Sequence, residues 1–183
     1  ETNQIISYGI AHGSALEIGP GPGYLGLEWL KRTTNTFLRC VEISPDMIAL
    51  ARKNAAEYDL VDRVEYRQGM AEEIPFDDGA FDAVFTNGSM HEWPDPVRAF
   101  NEIHRVLKTG GKFFVSDLRR DINPFIAWFL KINVRPKEIR PGLISSINAA
   151  YTKEEIGGIA SRTRLTNAIV TANMIGIVIK GVK

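Results

Sequence analysis

Two acidic residues bracket a glycine-rich turn near the start of the chain. The run Ala15-Leu16-Glu17-Ile18-Gly19-Pro20-Gly21-Pro22-Gly23 passes from an apolar strand into a turn, and helical periodicity follows it. Glycines let a backbone turn sharply and approach a ligand closely. The next helix offers unpaired N–H groups at its N-terminus. A second apolar run, Phe37-Leu38-Arg39-Cys40-Val41, ends in Glu42. A carboxylate at that place can accept both hydroxyls of a ribose. These residues predict a nucleotide-like ligand lying across two strand ends.

The ligand's identity stays open at this level. Gly21-Pro22-Gly23-Tyr24-Leu25-Gly26 satisfies GxGxxG, a weak dinucleotide signal on its own, so an NAD-dependent oxidoreductase is one reading. Three features oppose it. An anion at Glu17 would face pyrophosphate, whereas a ligand with an amino group and a sulfonium would gain from it. Pro20 and Pro22 remove two backbone donors from the loop. The chain also ends in two β-rich runs instead of a second mononucleotide-binding half.

A further candidate follows the fourth predicted strand, in Thr86-Asn87-Gly88-Ser89-Met90-His91-Glu92-Trp93. His91 titrates near neutrality and is the candidate general base, with a structural histidine as the alternative. Glu92 reads as solvated, Trp93 and His104 as packing or surface, and Asp117 as a possible lining residue. No group of residues has metal-ligand spacing: His12, His91 and His104 are scattered, and Cys40 is the one cysteine. Cys40 reads as a small buried residue.

These residues need elements to hold them. Short apolar runs alternate with amphipathic stretches, the signature of a parallel sheet covered on both faces. Strands are predicted at 14–18, 37–42, 63–68, 81–86 and 111–117, and helices at 23–33, 46–57 and 95–108. Val97, Phe100, Ile103, Val106 and Leu107 give the last helix its apolar face, and Gly110-Gly111 is its expected stop. Residues 119–151 change character. Asn123 can cap a helix with Pro124 at its first turn, and Phe125, Trp128, Phe129 and Ile132 form a stripe that suits a lid over an apolar substrate, a dimer surface or core packing. Thr152 and Glu155 form a capping box for a helix at 152–163. Runs at 165–171 and 174–182 predict a terminal hairpin.

The 183 residues suit one domain, 1–183, with 119–151 as an inserted helical segment. Net charge is zero, so nothing global favours nucleic acid or an acidic membrane. Residues 1–118 carry 11 Lys/Arg against 18 Asp/Glu, and residues 119–183 carry 11 against 4. Arg119, Arg120, Arg135, Lys137 and Arg140 leave an acidic or phosphorylated substrate open, with a solvated surface as the default. No apolar run reaches the length of a membrane span, and Glu1-Thr2-Asn3-Gln4 is unlike a signal peptide, so the expected location is cytoplasmic. The first residue is not Met, which leaves open whether a segment precedes it. Nothing predicts an oligomeric state.

Four blocks in register resemble the class I S-adenosylmethionine-dependent methyltransferases, closest to the small-molecule branch that includes the ubiquinone/menaquinone-biosynthesis C-methyltransferases. They are Glu17 to Gly23, then Val41-Glu42-Ile43-Ser44-Pro45-Asp46-Met47, then Gln68-Gly69-Met70-Ala71-Glu72-Glu73-Ile74-Pro75-Phe76, and finally Phe81-Asp82-Ala83-Val84 through Arg105-Val106-Leu107-Lys108-Thr109-Gly110-Gly111. The resemblance is strong over 14–118 and looser over 152–183. It implies an α/β, Rossmann-like seven-stranded sheet of order 3-2-1-4-5-7-6, strand 7 antiparallel, with helices on both faces. It implies S-adenosylmethionine bound by Glu17, Gly19, Pro20, Gly21, Gly23, Glu42, Ile43, Met47, Gly69, Met70, Ala71 and Asn87. The implied activity is methyl transfer to a small-molecule acceptor by in-line displacement, in which positioning supplies much of the acceleration.

Two departures qualify the resemblance. The family usually has Asp where Met70 stands, so backbone atoms of Met70 and Ala71 are expected to make the polar contacts to adenine. Residues 1–13 precede the first strand, where relatives commonly place helices over the active site. A non-catalytic domain that binds the cofactor or a partner is the alternative, and turnover discriminates the two.

Overall fold

The computed structural model describes residues 1–133 and 140–183. Arg135 and Lys137 lie outside them. The sheet strands are β1 (Gly13–Ile18), β2 (Thr36–Glu42), β3 (Val64–Gln68), β4 (Phe81–Asn87), β5 (Leu107–Leu118), β6 (Ile169–Ala172) and β7 (Gly176–Val182). Their order is β3-β2-β1-β4-β5-β7-β6. β7 runs antiparallel to both β5 and β6, and the remaining pairings are parallel. The fold implied by the sequence is the fold observed.

Side chains alternate across this sheet, so its inner strands feed two cores. Leu16, Val84, Phe113, Val115, Ile177 and Ile179 join one, beneath α4 (Pro96–Val106) and α7 (Lys153–Ala160). Ala15, Leu38, Ala83, Phe85 and Phe114 join the other, beneath α1 (Thr2–Ser7), α2 (Tyr24–Lys31) and α3 (Pro45–Glu57). Helix starts follow local chemistry. Ser44 Oγ accepts the Met47 amide at 3.3 Å and Asp95 Oδ1 the Arg98 amide at 3.0 Å, each with Pro in the first turn. The Thr152/Glu155 capping box is present on α7.

The structure departs from the sequence reading in places. α4 ends at Val106, short of the expected 108, because Leu107 turns extended, pairs with Phe81 and is fully buried. Gly110, at φ +79°, turns within the strand's early part, and its N–H bonds the Lys183 carbonyl at 2.9 Å. α1 lies outside the elements that the sequence predicts. It has no side-chain cap, and packing holds it: Ile5 is buried, and Trp29 Nε1 donates to the Ile10 carbonyl at 2.8 Å. After β5 come α5 (Pro124–Asn133) and α6 (Arg140–Ala149). The α5 stripe is not core: Phe125, Trp128, Phe129 and Ile132 are exposed, Phe125 by 69%. Arg119 pairs with Asp121 at 2.6 Å and Arg120 with Glu155, both on the surface.

Candidate functional site

The parallel strands β1, β2 and β4 end at the same sheet edge, and their loops enclose a cleft of about 450 Å³. A ligand crevice at strand carboxyl ends, where strand order reverses on either side of β1, is expected of such a sheet. The glycine turn forms one wall. Gly19, Gly21 and Gly23 have φ of +62°, +52° and +83°, a left-handed run that side chains resist. A Cβ at Gly19 would stand 2.6 Å from that of Ser89, so the first and fourth loops press together there. A Cβ at Gly21 would meet nothing within 4 Å; that residue opens onto the cleft.

Glu42 fixes the turn against β2. Its Oε2 accepts the Gly21 amide and its Oε1 the Ser44 amide, each at 3.0 Å. Its own carbonyl accepts the Gly69 amide at 3.1 Å, tying in the loop after β3. Each carboxylate oxygen keeps a second acceptor site. Beyond Glu42 the wall turns apolar, with Ile43, Met47 and Met70 exposed at 63%, 39% and 43%.

Of the residues singled out by sequence, Gly19, Gly21, Glu42, Ile43, Met47, Gly69, Met70 and Ala71 line this cleft. Glu17, Pro20, Gly23, Asn87 and His91 do not. Pro20 closes the turn instead, its carbonyl accepting the Gly23 amide at 2.9 Å. Asn87 is exposed and turned to β5, its Oδ1 accepting Ser116 Oγ at 2.9 Å. Glu17 lies under α2 against Gly26, and Cys40 Sγ donates to its Oε2 at 3.9 Å. Burial pushes the Glu17 carboxyl up to about 8, against the pull of the Cys40 thiol and the Gly26 N–H. The anion expected to face the ligand is therefore a buried, largely neutral acid beneath the turn.

His91 sits in a 3-10 turn, Met90–Glu92, over the end of β5. Its side chain is 7% exposed and its Nδ1 stands 3.0 Å from Asp117 Oδ1. That hydrogen bond raises its pKa and outweighs the opposing burial.

Sequence reasoning missed Ser44, Glu72, Glu92, Trp93 and Pro94 as lining residues. Trp93 both packs edge-on against Phe100 and faces the cleft, so its packing pattern hid the second task. The lining has a chemical bias. It holds the carboxylates of Glu42, Glu72 and Glu92 and, among the described residues, no Lys, Arg or His. Such a wall suits a ligand with cationic groups and opposes a pyrophosphate.

Comparison with known proteins follows the same line. Residues 16–115 match the family described as "Methyltransferase domain". The ubiquinone/menaquinone biosynthesis C-methyltransferase UbiE of Geobacter sp. (strain M21) is 30% identical over 126 residues, covering 66% of this chain and 54% of its own. A 2-methyl-6-phytyl-1,4-hydroquinone methyltransferase of Oryza sativa subsp. japonica is 29% identical over 147 residues, 70% of this chain and 43% of its own. The chain spans about half the length of these relatives. A Methanococcus maripaludis protein, its crystal structure assigned as an S-adenosyl-L-methionine-dependent methyltransferase, matches with a TM-score of 0.76 at 29% identity. That match covers 99% of this chain and 82% of the other.

Proposed function

The chain belongs to the class I S-adenosylmethionine-dependent methyltransferases, on the branch of the ubiquinone/menaquinone C-methyltransferases, and from that premise we propose that it methylates a small hydroxylated aromatic acceptor. The observation that carries the reading is the cleft wall: an open glycine turn clamped to Glu42, with carboxylates and, among the described residues, no basic side chain. Those residues fit S-adenosylmethionine. Glu42 would hold the ribose through its remaining acceptor sites, Ile43, Met47 and Met70 would flank the adenine, and Gly19 and Gly21 would give the backbone's close approach. Glu72 and Glu92 favour cationic groups. Glu17 acts one layer back, supporting the turn. When bound, the cofactor supplies an electrophilic methyl group on a sulfonium.

The chain's own work is to hold the acceptor, exclude water and accept a proton. We assign the proton acceptor for an acceptor hydroxyl to His91, one residue before the cleft-lining Glu92. Helices α5 and α6 follow β5, and α6 packs on the 90–92 turn. We assign residues 119–151 as a lid over the acceptor within a single domain. The acceptor class rests on the relatives named above, both of which are C-methyltransferases or act on a hydroquinone ring.

Calorimetry tests the reading. S-adenosylhomocysteine should bind and NAD should not. Glu42→Ala should weaken binding about 10- to 100-fold, the worth of hydrogen bonds to a charged acceptor. NAD binding, or unchanged affinity in that variant, would overturn it. Label transfer from S-[methyl-³H]adenosylmethionine to 1,4-naphthohydroquinone separates an enzyme from a domain that only binds the cofactor.

A further inference from the structure

The proposed reaction leaves one buried carboxylate without a task. Asp117, next to the last residue of β5, has its side chain fully buried. Its Oδ2 accepts the His91 amide at 2.9 Å and its Oδ1 the Leu118 amide at 2.7 Å. His91 Nδ1 stands 3.0 and 3.1 Å from the two oxygens. An ionised carboxylate only accepts, so the hydrogen between them belongs to Nδ1. Neutral imidazole held this way carries its lone pair on Nε2. Among the described residues Nε2 makes no hydrogen bond, and Glu92 Oε1 stands 3.9 Å from it. Nor is it sealed. Ser14 Oγ is the sealed side-chain polar atom without a partner among the described residues.

We propose that Asp117 is a positioning residue that fixes His91 as its Nδ1–H tautomer and presents Nε2 to the acceptor hydroxyl. The assignment rests on the methyl-transfer reading for the acceptor, and on geometry alone for the tautomer. The hydroxyl proton passes to Nε2, its bonding pair stays on the acceptor oxygen, and the Asp117 carboxylate balances the imidazolium that forms. The charged groups acting on the ring are Asp117 from β5 and Glu92 from its own turn, and Tyr151 after α6 lies near enough to Asp117 to feel its charge. Helix α6 brings no ionisable side chain between Pro141 and Ala149. Asp117 and Glu92 both favour the imidazolium, so the base form gains only above the ordinary histidine range and activity rises with pH there.

A purely structural Asp117 would need only the two backbone amides, and the ring would be free to take the Nε2–H form usual for neutral histidine. ¹⁵N NMR of histidine-labelled protein above the His91 pKa separates the two. The chain has three histidines, and His91→Asn assigns the signal. The expected spectrum shows a protonated Nδ1 and a bare Nε2. Asp117→Asn, which can turn an amide N–H toward Nδ1, should shift the hydrogen to Nε2 and lower the His91 pKa. Methylation of 1,4-naphthohydroquinone should fall about 10²- to 10⁴-fold in both variants, with S-adenosylhomocysteine affinity kept within about twofold in His91→Asn. An Nε2–H tautomer in the unaltered protein overturns the proposal, and that measurement stands even where Asp117→Asn does not fold. So does a folded Asp117→Asn with tautomer and rate unchanged. If the tautomer is as expected but S-adenosylhomocysteine does not bind, the methyl-transfer reading fails and the His91–Asp117 arrangement survives it.

Discussion

Glu17 and Glu42 stand at the carboxyl ends of neighbouring strands with the same side chain, one residue before the last of β1 and the last of β2, and their surroundings divide the work. Glu42 meets backbone N–H groups on both oxygens and borders the cleft. Glu17 meets a thiol and the underside of α2, and burial dominates it. The consequence is a pH dependence. The Glu17 carboxyl is raised from an ordinary value of 4.5 to about 8, so the folded state holds a proton that the unfolded chain releases. Its contribution to stability is complete below about pH 4.5 and is lost as pH rises through about 8. Glu17→Gln keeps the shape without the ionisation. Thermal melts across this range should show a flatter pH profile for the variant, with stability at pH 8 equal to or above that of the parent. An unaltered slope would mean that Glu17 is ionised in the folded protein.

At the scale of elements, the glycine turn works because α2 lies close on the sheet, and Gly26 sets that distance. A Cβ there would stand 2.2 Å from Glu17 Oε2 and 2.4 Å from Leu38 Cδ2. In a solvated helix Gly→Ala stabilises by about 1 kcal/mol. Here overpacking, about 1–3 kcal/mol in such sites, should win, and Gly26→Ala should lower both the denaturation midpoint and cofactor affinity as the turn is lifted. A stabilised variant would place α2 farther from the sheet. The same contrast explains what was legible in the sequence. The capping box at Thr152 and the proline-led start at Pro124 are local, and the sequence shows both. The fates of Leu107 and Glu17 are not local. A partner strand decides whether Leu107 ends a helix or begins β5, and the packing of α2 decides that Glu17 is buried. Asp117 and His91 lie 26 residues apart, a pairing that only the β4–β5 register brings together. α1 has no cap to announce it, since tertiary contact through Ile5 supplies its stability.

Across the whole molecule, the acidic half of the chain builds the carboxylate-walled cleft, and the basic half begins where β5 delivers α5 and α6 beyond the sheet edge. Helix α5 ends as a surface element with Phe125, Trp128 and Phe129 more than half exposed, and the rings of Phe125 and Trp128 stand 5.7 Å apart. Ala127 and Trp128 face Leu143, Ile144 and Ile147 of α6 across an apolar groove. Exposed aromatics contribute little to folding, since their burial has not happened. Their worth must appear when something apolar meets them. Replacing Phe125 and Phe129 with Ser should therefore leave the melting temperature nearly unchanged, the stability effect of each being within about 0.5 kcal/mol. Cofactor affinity should also hold, because neither residue borders the cleft. For a lid over the acceptor, KM for a hydroquinone bearing a long isoprenoid tail should rise about tenfold or more, with KM for the tail-less ring little altered. Loss of one ring's contact at about 25 cal/mol per Å² is enough for that factor. A fall in melting temperature with both KM values constant would instead make α5 part of the folded core, and the lid assignment for residues 119–151 would be withdrawn.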